Sequence, residues 1–327
     1  MNKPQFWMGG HSATDLIAVT NDPKDIDDGF WAVTTSFDGH FIGAKFGTIE
    51  KKEWSAPYRP LQSRDWISSH DRSEYCQLVE NFRLEIANGN VYQVNACRVL
   101  SNKTSEPIHG LLAGFLQKNP ARFAGYLKIP GLEIASASPE TFLIRDGETL
   151  ISSPIKGTRK PGLTGPFPEK DESENIMIVD LMRNDLSKVC VKDSVHVSKL
   201  LDIHELPGLA HLVSDIEGAL QEGVTWDKIF KATLPPGSVS GAPKSSAIKL
   251  IKKYEKLERG PYCGAFGWIH GNRAELAVAI RIFWSDGATV KFGTGAGITW
   301  GSSPIEEWEE TELKASRLIA IANGDLK

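Results

Sequence analysis

Strand-prone runs and long helical stretches alternate along this chain without the regular strand, helix, strand rhythm that builds a parallel sheet. That irregularity constrains the fold most strongly. It predicts an α+β architecture, with a large, mostly antiparallel β-sheet core flanked by helices. At 327 residues, 41% of them apolar, the chain can bury one large core or two moderate ones.

The pattern locates the pieces. Residues 1–72 mix short aromatic and β-branched runs with turns such as Asp38-Gly39, which reads as strands and hairpins. From 73 to 89, Tyr75, Leu78, Val79, Phe82 and Ile86 recur at helical spacing, with Ser73 as N-cap and Gly89 beyond the end. A strand over 91–100 follows, then strands at 132–144 and 148–155 joined through Asp146-Gly147, a strong hairpin signal. Gly and Pro between 154 and 168 predict a surface loop, followed by a helix over 169–188. A turn-rich loop at 235–244, a helix over 245–257 and strands over 266–283 come next. Ser303-Pro304-Ile305-Glu306 reads as an N-cap, a Pro at the first helical position and a capping-box Glu; the helix then runs to Asn323-Gly324.

Composition removes several classes of function. A net charge of −4 with mixed signs supplies no basic stripe to track a nucleic-acid backbone. The start lacks the apolar core of a secretory signal, and no apolar run approaches the length that spans a bilayer, so a soluble, cytoplasmic protein is expected. Cys76, Cys97, Cys190 and Cys263 are far apart and form no Cys-x-x-Cys pair, which points to reduced thiols instead of a disulfide frame or zinc cage.

Several charged residues sit where chemistry is possible. With Asp146-Gly147 as the turn, Arg145 faces Glu148 and Glu140 faces Ser153, so Glu140 and Lys156 emerge near the open end of one hairpin. Alone, such a pair reads equally well as a solvated ion pair. Glu174 precedes Ile178 by one turn and Leu181 by two, so it shares an apolar face and needs a partner. A helix-start acid favoured by the dipole is the other reading. Glu307 and Glu310, at i and i+3, suit a hard ion such as magnesium, although helix-start acids are common. Gly237-Ser-Val-Ser-Gly241-Ala-Pro-Lys244 has the wrong spacing for a phosphate loop, and Gly293-Thr-Gly295-Ala-Gly297 opens no immediate helix as a dinucleotide site requires. Backbone amides close to small carboxylates, with Arg281 and Lys244 as nearby cations, remain.

Eight segments in order resemble the chorismate-utilising enzymes. They are Tyr92-Gln-Val-Asn95, Ser136-Ala-Ser-Pro-Glu140, Pro154-Ile-Lys-Gly-Thr-Arg159, the stretch from Glu174 to Asp185, Ser238-Val-Ser-Gly-Ala-Pro-Lys244, Ala279-Ile-Arg281, Gly293-Thr-Gly-Ala-Gly297 and Glu307-Trp-Glu-Glu-Thr311. The resemblance covers residues 75 to 320 and implies a chorismate-binding catalytic domain over 73–327, with 1–72 as a shortened β-rich portion packed on it. Lys156, where anthranilate synthases usually carry Ala, and the uncharged Gln93, where isochorismate and salicylate synthases usually carry Lys, resemble the aminodeoxychorismate synthase form.

The resemblance also implies roles. Lys156 is the nucleophile and Glu140 the acid, with His211 in the site. Gln93, Gly157, Thr158, Ser240, Lys244, Tyr262, Arg281, Thr294, Gly295, Ala296 and Gly297 line the substrate pocket. Glu174, Glu307 and Glu310 hold Mg2+. The implied reaction is amination of chorismate to 4-amino-4-deoxychorismate, with ammonia from a separate glutamine amidotransferase subunit; anthranilate synthase and isochorismate synthase activities are the alternatives. A lysine amine becomes abundant at neutral pH only at a cost of about 4 kcal/mol. The acidic motif of the family's tryptophan pocket is absent, which speaks against bound tryptophan.

Overall fold

A computed structural model describes residues 3–326 apart from 160, 161, 163, 164, 207, 208 and 256. The N-terminal region forms β1 (Gln5–Met8), β2 (His11–Thr20), β3 (Phe30–Thr35), β4 (Phe41–Lys51) and the short β5 (Ile67–Ser68). Next come α1 (Arg72–Ala87), β6 (Gln93–Lys103), α2 (His109–Lys118), β7 (Phe123–Ile129), β8 (Leu132–Ser138), β9 (Thr141–Asp146), β10 (Thr149–Ser153) and β11 (Ile155–Arg159). α3 (Glu169–Ser187) precedes β12 (His196–Leu206) and β13 (Leu209–Ala219), then α4 (Trp226–Thr233), β14 (Gly241–Ala242) and α5 (Lys244–Tyr254). β15 (Ala265–His270), β16 (Arg273–Val278), β17 (Ile282–Ser285), β18 (Thr289–Ile298) and α6 (Pro304–Asn323) complete the order.

Among the described residues the pairings between strands are antiparallel, as the irregular rhythm predicts. One hydrogen-bonded path runs β6, β18, β17, β8, β7, β1, β2, β4, β3, β15, β16, β9, β10, β13. The N-terminal strands thus lie in the middle of the sheet. Strand alternation buries both faces. On β7, Phe123 and Leu127 enter one core while Ala124 and Tyr126 enter a second one beneath α2 and α6.

The helices α1, α3, α5 and α6 lie where periodicity places them, with corrected ends. Asp71, not Ser73, caps α1: its side chain accepts from Glu74 N at 2.8 Å while Glu74 Oε2 accepts from Asp71 N at 2.9 Å. Ser303 caps α6 without a side-chain hydrogen bond, so the expected capping box does not form; Pro304 and the left-handed Gly324 do bound the helix. The hairpin also shifts. Asp146 pairs with Thr149 and Arg145 with Leu150, so Gly147-Glu148 is the turn, with Gly147 at φ 61° in its first central position. Ser153 consequently faces Thr141 instead of Glu140, across an irregularity that Pro154 accompanies. Part of the expected loop over 154–168 is the strand β11, and the rest includes residues 160, 161, 163 and 164, outside the described set. The four thiols are free, three of them buried. No described helix is long and apolar enough to cross a membrane.

Candidate active site

Lys156 stands on β11, whose partner is β13: Lys156 faces Leu212 and Thr158 faces His211 across a bulge at Gly157. Gly157 has φ 76°, and a side chain there would meet the Phe167 ring at 2.9 Å and Asp171 Cβ at 3.1 Å. That close approach seats β11 on the first turns of α3. Lys156 Nζ accordingly lies 3.1 Å from Glu174 Oε2, with side chains 19% and 14% exposed.

The other wall comes from the opposite end of the sheet path. Gln93 opens β6, and its Nε2 donates to the same Glu174 oxygen at 3.4 Å. Gly297 of β18 pairs with Asn95 of β6. A Cβ on Gly297 would come within 2.4 Å of Gln93 Nε2 and 3.5 Å of Lys156 Nζ, so a larger residue there would push the end of the Gln93 side chain from its place. β6, β11, β18 and α3 therefore meet around one amine.

Glu140 is buried in the break between β8 and β9, and its Oε1 has no hydrogen-bond partner. Burial holds its carboxyl above the ordinary range, against the opposing pull of Ser238, Lys156 and Arg281. Arg281, half-buried at φ 52°, is pulled below its usual value by burial, with Glu140 opposing. A non-glycine residue in the left-handed region stores strain of about 1 kcal/mol or more, a feature that clusters at functional sites. His211 is buried, and burial together with Arg281 and His204 pushes it down, which keeps its ring neutral.

The acids lie between α3 and α6. Glu307 is buried with Oε2 unpartnered, and burial raises its carboxyl, helped by Glu310. Burial also pushes Glu310 up, but Lys314, 2.5 Å away, together with Lys156 and Lys170 outweighs it and leaves the group below its ordinary value. Asp171, which pattern reading passed over, is raised by burial and by the charges of Glu174 and Glu310. Its signal was its place one turn before Glu174 on the same helix. As the side chains stand, no three His, Cys, Asp or Glu among the described residues form a ready metal cage. The donors nonetheless suit a hard cation: carboxylates from two helices that feel one another, one with a buried oxygen lacking any partner.

The remaining pocket residues divide. Tyr262 is buried with its ring across Gly293 and its hydroxyl 3.1 Å from where a Gly295 side chain would begin. Gly295 O accepts from Lys314 Nζ at 3.0 Å, Thr294 Oγ1 donates to Thr311 O at 3.0 Å, and Ala296 is fully buried. Ser240 spends its hydroxyl on Pro236 O at 3.0 Å. Lys244 is held by Asp185 and by Thr233 O at 2.9 Å, inside the protein. The Thr158 side chain lies outside the described set.

A buried carboxyl raised by its surroundings, an amine, a buried imidazole and an arginine in the left-handed region gather on an antiparallel α+β scaffold. The family described as chorismate binding enzyme matches residues 40–320, and the chain belongs to it. Anthranilate synthase component 1 of Archaeoglobus fulgidus is 37% identical over 261 residues, 77% of this chain and 63% of that protein. Aminodeoxychorismate synthase component 1 of Bacillus subtilis is 31% identical over 287 residues, 84% of this chain and 61% of that protein. The chain thus spans about six-tenths of the length of these curated relatives. The menaquinone-specific isochorismate synthase of Escherichia coli shares the fold at TM-score 0.81 and 19% identity, over 98% of this chain and 89% of that one. Anthranilate synthase component I of Streptococcus pneumoniae does so at 0.77 and 22%, over 90% and 81%.

Proposed function

We propose that this chain aminates chorismate at carbon 4, giving 4-amino-4-deoxychorismate in the manner of an aminodeoxychorismate synthase component I. The observation that carries the reading is the amine of Lys156 beside Gln93 and Glu174, close enough to Glu140 for its charge to act on that carboxyl. An alanine at 156 would leave no nucleophile, and a lysine at 93 would supply a base for water; neither is present.

Lys156 Nζ attacks ring carbon 2 as Glu140 gives its proton to the departing carbon 4 hydroxyl, which leaves as water. Ammonia then bonds to carbon 4 and the carbon 2 to Nζ bond breaks, so chorismate and ammonia become the amino product and water. Two displacements replace one difficult step. Burial raises the Glu140 carboxyl, which favours its carrying the proton that the first displacement needs. Arg281 offers charge to a substrate carboxylate, and the half-buried Gly297, bare of a side chain beside Lys156, leaves room for the ring. Glu174, Glu307 and Glu310 would hold Mg2+, with Asp171 near them; bound there, the ion supplies electrostatic stabilisation of a substrate carboxylate. Ammonia would come from a separate glutamine amidotransferase subunit or from solution.

The test is purified protein with chorismate, Mg2+ and ammonium, with products identified by mass and by conversion with an added lyase. The expected product is the 4-amino compound. Anthranilate or isochorismate as the main product overturns the assignment.

A further inference from the structure

Two of the three carboxylates assigned to the ion, Glu174 and Glu310, are held by the protein's own cations. Lys156 Nζ is 3.1 Å from Glu174 Oε2, Lys170 Nζ is 3.9 Å from Glu174 Oε1, and Lys314 Nζ is 2.5 Å from Glu310 Oε1. Glu174 and Lys156 are both largely shielded from water, whereas Lys170 is 58% exposed. A shielded carboxylate needs a counter-charge at all times, and an ammonium and a divalent ion repel when both crowd one oxygen.

We propose that Lys156 and the divalent cation exchange at Glu174. The ammonium holds Oε2 until the ion takes that oxygen, and the ion's arrival frees the Lys156 side chain. The space for it exists, because Gly297 has no side chain: a Cβ there would stand 3.5 Å from Nζ. The carboxyl of Glu140 already feels the charge of Lys156 from where the lysine now stands. Ion binding and release of the nucleophile are then one event, which orders the site: cation first, attack second. The inference rests on the reading of Glu174 as an ion ligand.

Isothermal titration calorimetry with MgCl2 on the whole chain, without substrate, tests it. Lys156→Met and the polar but uncharged Lys156→Gln should each bind Mg2+ about tenfold or more tightly than wild type, since a shielded competitor is gone. Lys170→Met should change affinity less than about threefold, as expected for an exposed charge. Glu174→Gln should weaken binding. Wild-type affinity in both Lys156 variants overturns the exchange while leaving the ion site standing. An equal gain in Lys170→Met overturns it in favour of a diffuse field. Absence of Mg2+ binding in wild type and variants alike removes the ion reading itself, and the exchange with it.

Discussion

Two buried ionic clusters lie along β6, and they are built on opposite terms. Beneath the strand, Arg259 and Glu255 are each almost wholly buried and fully matched: Arg259 Nε and Nη2 donate to the two Glu255 oxygens at 2.8 and 2.7 Å, and Nη2 also donates to Asn95 O at 2.7 Å. Glu255 Oε1 accepts a further bond from Cys97 N at 2.9 Å. At the strand's start the proposed site leaves Gln93 Oε1, Glu140 Oε1 and Glu307 Oε2 without partners and forces acids together. The matched cluster has its hydrogen bonds closed within the fold, whereas the unmatched one leaves hydrogen bonds that a ligand would complete. Substitutions should therefore separate stability from activity.

The largest expected effects set one cluster against the other. Lys156→Ala should lower amination by about 10³-fold or more and abolish any substrate-mass adduct seen by mass spectrometry, with little change in Tm. Arg259→Leu, which strands Glu255, should cost about 3–5 kcal/mol in denaturant unfolding. An Arg259→Leu protein as stable as wild type would break the comparison outright.

Glu140→Gln sharpens it, because activity and stability should move in opposite directions. Turnover should fall by about 10²- to 10⁴-fold with the loss of a general acid. Burial holds Glu140 above its ordinary value of 4.5, so as pH rises the unfolded chain releases this proton first. The residue thus costs stability above the ordinary value, and the cost grows until pH passes the raised one. The Gln variant should melt a few degrees higher than wild type near neutrality and lose that advantage at acid pH; melting curves at both ends decide it.

Smaller effects follow. Gly297→Ala pushes on Gln93, and should cost about 1–3 kcal/mol in stability together with a loss in kcat/KM. Arg273→Ala removes a 3.7 Å pair whose side chains are 69% and 75% exposed, and should change stability by less than about 0.5 kcal/mol.

Legibility in the sequence follows the same division. Helices with one apolar face, such as α1 and α6, announce themselves by period. α2 does not, because Gly110, Leu111, Leu112, Ala113, Gly114 and Phe115 are all buried and leave no polar face to mark it. Its two glycines let the backbone approach Arg59 and the Tyr58 ring, a packing need that no local pattern shows. The hairpin turn slipped because Asp-Gly favours one pairing locally, while β16 and β13, the outer neighbours of β9 and β10, fix the register. Lys156, Glu140 and Glu174 stood out by chemistry at motif positions; Asp171 and the Glu255 and Arg259 pair did not, since their roles depend on what the fold brings against them.

The pairing of Asn95 with Gly297 also sets an order of assembly. Helices such as α1 and α3 form from neighbours in the chain within about a microsecond, whereas β6 must find β18 from almost the other end of the chain. During refolding, helical signal should return well before any capacity to bind substrate, because Gln93 and Gly297 become one wall only when this long-range pairing closes.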